Sequence, residues 1–330
     1  MEQSEREQFA ETVRKVFDRT DTLPDDGLEA IGWRDALAAW GGPAISIVLG
    51  AQGRACATSG AIDDVVAGAL GLDAAPDAVL LPRLGSQQPP TTASDEGVTV
   101  AGVATARILA ATRVAVAVGD PTGCRVVRVP TELLTVEPIL GVDADARLFS
   151  VTAEVATGDL EDGPSVDWAR ALAFGQVSVA CELVGVGRGM LELAIEHATS
   201  RVQFGRTIGS FQAVRHRLVD SFIALEGASA AAAACCDVMI GDGPDGGSAG
   251  TLPSAHAAMA KALAGDAART AAKHAQQVLA GIGFTSEHRF HHYFRRTLLL
   301  DRLLGSRTAI TQEIGQTALD ARRVPMDLPL

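Results

Sequence analysis

Residues 201–216 read Arg201-Val-Gln-Phe-Gly-Arg-Thr-Ile-Gly-Ser-Phe-Gln-Ala-Val-Arg-His216, and the rest of the chain is organised around them. They close a long helical pattern, turn through Gly205 and Gly209, and begin a second helix near Phe211 and Gln212. Such a turn can present backbone N–H groups and an arginine fork to one anionic ligand. Taken alone, the residues leave open both an ordinary interhelical turn and a phosphate or dinucleotide contact.

Helical periodicity continues on both sides. Trp168 to Ser200 predicts one long helix with Gly175, Gly185, Gly187 and Gly189 inside it. Each interior glycine costs roughly 1 kcal/mol against alanine, so another helix or a ligand is expected to approach closely. Phe211 to Ile240 predicts a second helix, with Val214, Leu218, Phe222 and Leu225 as its apolar stripe. After a Gly/Pro-rich break at residues 241–254, Ala255–Leu279 and Arg289–Leu304 predict two more, giving a four-helix bundle.

Upstream the period changes. Between Asp77 and Val155, runs at Ala78–Leu81, Val98–Val103, Val114–Val118, Cys124–Val129, Leu133–Val136 and Leu148–Val155 predict short strands. Gly119 to Gly123 marks a turn between two of them, and Ser86 to Gly97 reads as an exposed loop. The strands suit a small antiparallel barrel or sandwich. Before them, Phe9, Val13, Val16 and Phe17 lie on one face of a first helix. The fold class is therefore α+β, divided into a helical region at 1–76, a β region at 77–158 and a helical bundle at 159–330.

Composition narrows the function. The formal charge is −12, from 28 basic and 40 acidic residues, which disfavours non-specific binding to nucleic acid or anionic lipid. Arginine clusters at Arg201, Arg206, Arg215 and Arg217, and at Arg295, Arg296 and Arg302, still allow a small anionic ligand. The five cysteines form no CxxC pair and have no histidine at metal spacing, so no metal is expected. The first fifteen residues are charged and lack the apolar core of a signal peptide, and glycines and charges interrupt the long apolar stretches. No membrane span and a cytoplasmic location are the expectations.

The pattern RxQFGxxIGxFQAVxHxLxD, running from Arg201 through Asp220, resembles the signature of acyl-CoA dehydrogenases. Gln277-Val-Leu-Ala-Gly-Ile-Gly-Phe284 is similar to that family's second motif, Q-x-x-G-G-x-G-[FY], with Ala280 replacing the first glycine. The resemblance implies FAD bound across a subunit interface. Arg201 would hold its pyrophosphate, and Gln203, Phe204 and Gln212 would lie towards the adenine. Gln277 and Gly281 would meet the same cofactor from a neighbouring chain, with the methyl of Ala280 crowding that approach.

The implied reaction is α,β-dehydrogenation of an acyl-CoA thioester, with an electron-transfer flavoprotein as electron acceptor. It requires a carboxylate to remove the α-proton. The family places that glutamate at one of two positions, which correspond here to Gly175, with Gln176 beside it, and to Leu304, before Gly305 and Ser306. Neither is an acid. Asp301 is the local alternative base, although an ion pair with Arg302, Arg296 or another nearby arginine is the plainer expectation. Glu287 and His288 come next, and Glu182 lies two helical turns beyond Gly175. The family's T-E-P-x-x-G-S-D loop and its tryptophan-containing strand are also replaced, by LLPRLGSQQPP and GVTVAGVATARIL.

These departures resemble the short, base-lacking subunit of actinobacterial α2β2 acyl-CoA dehydrogenases of steroid side-chain breakdown. That resemblance implies a second acyl-CoA dehydrogenase subunit as partner and a steroid side-chain CoA as substrate. A homomeric flavoenzyme using Asp301, or a non-catalytic flavin- or CoA-binding scaffold, are the alternatives.

Overall fold

The computed structural model describes residues 3–18, 24–72, 78–93, 97–120, 123–239 and 254–322. Residues 121–122 of the expected turn and 241–253 of the expected break fall outside them. Five helices come first: α1 (Gln3–Asp18), α2 (Pro24–Ala30), α3 (Trp33–Trp40), α4 (Gly42–Ala55) and α5 (Ala61–Ala69). Val13, Val16 and Phe17 of α1 are buried, as their spacing predicts, and Phe9 packs edge-on against Trp40 at 5.1 Å.

The strands form two sheets. In the first, the order is β1 (Ala78–Val79), β5 (Arg113–Asp120), β6 (Gly123–Pro130) and β9 (Glu161–Ser165); in the second it is β2 (Leu81–Pro82), β4 (Gly97–Ala104), β8 (Phe149–Ala156) and β7 (Thr135–Pro138). β3 (Thr91–Ala93) pairs with the side of β4 as well. Every pairing in the two sheets is antiparallel except β1 with β5. Alternate valines of β4, β5, β6 and β8 share one buried core between the sheets. Two details differ from expectation. Part of the stretch predicted as an exposed loop is β3, and the first sheet gains β9 beyond residue 158, where Gly163 and Pro164 hide any alternation.

Helix α6 (Trp168–Ser200) begins where the sequence places it, because the side chain of Asp167 accepts a hydrogen bond from the N–H of Arg170 at 3.0 Å. It is the central helix of the main core, flanked by α4, α7 (Gln212–Val238), α8 (Ser254–Leu279) and α9 (Phe290–Arg302). Its glycines permit the close approach they foretell. A Cβ on Gly185 would run into the carbonyl of Gly50, and one on Gly53 of α4 into that of Glu182. The bundle also has a helix the sequence did not reveal, α10 (Arg307–Ala321), in which only Ile310 is buried.

A pair of acids joins the helices to the sheets. Asp64 receives both terminal nitrogens of Arg107, at 2.6 and 2.7 Å, together with Arg34 and the indole N–H of Trp33. Asp63 is 1% exposed and accepts from the Thr105 hydroxyl at 2.7 Å and the N–H of Val79 at 3.1 Å. Burial pushes its carboxyl up to about 6, against the opposing pull of Arg107 and these two hydrogen bonds.

The folded state therefore holds this proton more tightly than the unfolded chain, whose carboxyl titrates near its ordinary value. Asp63's contribution is most favourable below pH 4 and is lost as pH rises through 6, by about 3 kcal/mol. Asp63→Asn should remove that component from the pH dependence of unfolding, measured by urea titration between pH 4 and 7, while Asp63→Leu should destabilise at every pH.

Candidate functional site

The stretch that opened the sequence reading folds as a tight hairpin. Val202–Gln203 (β10) pairs with Arg206–Thr207 (β11), and the two residues between them, Phe204 and Gly205, have φ values of 53° and 75°. Positive φ at both central positions is the geometry of a two-residue hairpin turn. It is strained for a phenylalanine, and the Phe204 ring stands outside the fold at 91% exposure. The ring meets Phe211 edge-on at 6.2 Å, and Arg206 covers the Phe211 face at 4.2 Å.

Arg201, Gln203 and Gln212 are exposed as well. None of their side chains hydrogen-bonds to another described residue.

The second motif has the same character. Gln277 ends α8 as an exposed residue, and residues 280–284 make a 3₁₀ turn from which Phe284 projects at 79% exposure. Ala280 has φ 52°, so the position where the family motif carries glycine keeps a glycine-type backbone despite its methyl group. Gly281 is exposed, with nothing near its Cβ position. The first motif packs on α6 and α7, the second on α8 and α9. Both present aromatic, amide and, at Arg201, cationic groups outward, a donor set that fits the adenine and pyrophosphate of a dinucleotide.

The two positions expected to carry a base meet in space. A methyl group on Gly175 would lie 2.5 Å from Cδ1 of Leu304. Leu304 is 1% exposed, with φ 58°, and its side chain occupies the room above Gly175. The backbone around it is held on all sides. Gln176 donates to the carbonyl of Leu304 at 3.1 Å, and the N–H of Gly85 donates to that of Arg302 at 2.6 Å. Lys261 donates to the carbonyls of Asp301, at 3.2 Å, and of Gly305. It is 1% exposed, and burial pushes its ammonium down to about 8, although Asp301 favours the charged form.

Gln87 completes the arrangement. Its side chain accepts from Gln176 at 2.9 Å and donates to Glu313 of α10 at 2.8 Å, while its carbonyl accepts from the Trp168 indole at 3.0 Å. The segment expected as a free loop is thus seated on the helical bundle.

The other acids are engaged elsewhere. Asp301 accepts from the N–H of Arg307 at 3.4 Å and pairs with its guanidinium at 3.8 Å, so its arginine is Arg307 rather than Arg302 or Arg296. Glu182 is buried against Arg296, which also holds Asp143 at 2.6 Å and the carbonyl of Ala57 at 2.6 Å. Burial raises the Glu182 carboxyl, with Arg296 opposing the shift. His274 bonds to the carbonyl of Arg217 at 2.9 Å, a packing role. Glu287 is exposed.

Gln87 and Lys261 are the contributors the sequence reading passed over, and Gln176 entered it only as the neighbour of Gly175. Two signals were available. Pro82-Arg-Leu-Gly-Ser-Gln87 keeps the P-x-x-G-S of the family loop, with glutamine in place of aspartate. Lys261 lies in helical register with Ala257, Ala264 and Ala268, all buried, so a charge stands on an inward face.

Comparison with known proteins agrees with this geometry. Residues 163–319 match the acyl-CoA dehydrogenase C-terminal domain. A curated relative, acyl-CoA dehydrogenase IpdE2 of Mycobacterium tuberculosis, is 34% identical over 160 residues, covering 48% of this chain and 44% of the relative. The chain therefore spans about half the length of the curated relatives it matches.

Two solved structures extend the likeness to the whole acyl-CoA dehydrogenase fold. One, a Tcur3481-Tcur3483 steroid ACAD G363A variant, has a TM-score of 0.75 at 20% identity, covering 97% of this chain and 99% of that one. The other, the ChsE4-ChsE5 complex from Mycobacterium tuberculosis, has a TM-score of 0.74 at 19% identity, covering 100% and 99%.

The Gly175–Leu304 contact makes a direct prediction. Gly175→Ala should cost about 1–3 kcal/mol of stability by overpacking. In the background of Leu304→Ala, which opens a cavity, the same substitution should cost far less. A double-mutant cycle on urea unfolding reads the difference, and additive effects would contradict the contact.

Proposed function

We propose that this chain is one subunit of a heteromeric, FAD-dependent acyl-CoA dehydrogenase, and that a partner chain supplies the catalytic carboxylate. The observation that carries the proposal is the meeting of Gly175 and Leu304: both positions where the family keeps its base converge on one point, and that point is filled by a leucine side chain. The Arg201 and Gln277 motifs, by contrast, face outward, and the Arg201, Gln203 and Gln212 side chains hydrogen-bond to no other described residue. A chain arranged in this way serves a cofactor shared with a neighbour better than a reaction of its own.

In this reading, Arg201 neutralises the pyrophosphate of FAD while Gln203, Phe204 and Gln212 border its adenine. Gln277 and Gly281 complete a second such half-site. Bound FAD supplies the hydride acceptor for the β-hydrogen. The work of this chain is to bind and orient, and the proton is removed by a carboxylate on the partner. The substrate is an acyl-CoA, with a steroid side-chain CoA favoured because the two solved structures above include a steroid ACAD and a two-component complex. An electron-transfer flavoprotein is the proposed oxidant of the reduced flavin, and the setting is cytoplasmic.

Exposed apolar residues support an assembly. In α7, Val219, Phe222 and Ile223 are 51%, 55% and 62% exposed. Both α6 and α7 are long and apolar enough to cross a membrane by length and composition, but 83% of the relevant window of α6 is buried within the fold, against 28% for α7. A partner subunit would cover the apolar face of α7.

The test is to isolate the tagged chain from its native cells and record native mass and flavin absorbance together. The expected result is a complex with a second, glutamate-bearing chain and bound FAD. In that complex Arg201→Ala should lower flavin affinity by about tenfold or more, and Asp301→Asn should leave turnover unchanged. A flavin-loaded, active assembly of this chain alone would overturn the proposal.

A further inference from the structure

A groove of about 960 Å³ lies between α1, α4, α6 and α7. It shares no lining residue with the Gly175–Leu304 site or with the two outward motifs. Gln52 of α4 bonds to Ser59 and faces Glu182 on the inner side, whereas Ile47, Ala51 and Arg54 line the groove on the outer side. The apolar floor is formed by Phe17, Ile47, Val184 and Leu193. Four guanidiniums line it, those of Arg14, Arg54, Arg188 and Arg289, against three carboxylates, those of Asp18, Glu192 and Glu196.

The charges are not evenly engaged. Arg54 pairs with Glu192 at 2.8 Å, and Arg188 reaches Glu226 at 2.8 Å and Ser229 at 3.1 Å. Arg289 is exposed, and its guanidinium bonds to no other described residue. Arg54, Arg289 and Tyr293 line the same groove, and of the two arginines Arg54 is the one already paired, to Glu192. The Tyr293 hydroxyl is itself fixed, donating to the carbonyl of Arg54 at 2.8 Å. One end of the groove therefore has an excess positive charge beside an apolar floor, a combination that suits an amphipathic monoanion.

We propose that this groove binds a long-chain carboxylate, with its head at Arg289 and Arg54 and its chain along Phe17, Ile47, Val184 and Leu193. The site is independent of the flavin motifs and of the proposed partner's carboxylate.

Isothermal titration of the full chain with dodecanoate, dodecyl phosphate and dodecanol tests the assignment. Saturable one-site binding of dodecanoate is expected, with dodecanol at least about tenfold weaker. Arg289→Gln should weaken dodecanoate by a similar factor while leaving the melting temperature unchanged, since the Arg289 side chain is exposed and hydrogen-bonds to no other described residue. Ile47→Trp should abolish binding by filling the floor, with circular dichroism confirming an intact fold. Equal affinity for dodecanol, preference for dodecyl phosphate, no saturable binding to wild type, or binding unaffected by Arg289→Gln would each overturn it.

Discussion

The carbonyl oxygens at the end of α9 must each find a donor once they are buried, and this requirement organises the site. Those of Asp301, Arg302, Leu304 and Gly305 are met by Lys261 of α8, the N–H of Gly85 and Gln176 of α6. An unmet buried carbonyl costs about 1–3 kcal/mol, so these bonds together fix where the chain leaves the helix. Leu304 and Gly305 then take positive φ, α10 starts at the Ser306 cap, and the Leu304 side chain is delivered onto Gly175. The β-region loop carrying Gly85 and Gln87 is bound into the same set, so α6, α8, α9, α10 and the sheets all meet there.

Much of this architecture was written locally in the sequence. The ends of α6 are marked by the Asp167 cap and by Arg201, and the α1 face by four apolar residues at helical spacing. The strands of the sandwich core announced themselves by alternating valines. What stayed hidden depends on distant partners. Residues 86–90 are polar and proline-rich, and the hydrogen bonds that hold Gln87 in place come from Trp168, Gln176 and Glu313, far along the chain. Helix α10 lacks an apolar stripe because it lies on the surface, and periodicity cannot reveal a helix that buries one residue.

The stripe of α7 failed for the opposite reason. Val214, Leu218, Phe222 and Leu225 follow helical spacing, yet Phe222 is more than half exposed while Leu225 is 1% exposed. The spacing identifies an apolar face without saying which surface covers it. For α7, part of that surface must come from outside the single chain if the exposed Val219, Phe222 and Ile223 are to leave water. The candidate site shows the same split. Motif spacing located the Arg201 and Gln277 turns, but the outward direction of Phe204 and Phe284 is a property of backbone conformation.

The packing at the base position also explains why a glutamate at 304 alone would not make a working base. A glutamate placed at 304 would enter a space 1% open to solvent and already bounded by Gly175 and Val66. Desolvation would raise its pKa, and its charged form would need partners. The nearby donors are committed: the amide of Gln176 to Gln87 and the Leu304 carbonyl, the ammonium of Lys261 to two further carbonyls. Freeing either would loosen the segment that positions residue 304 in the first place. A working base therefore requires a pocket with room, solvation and donors of its own, and a second chain can provide that pocket while this one keeps its outward-facing motifs.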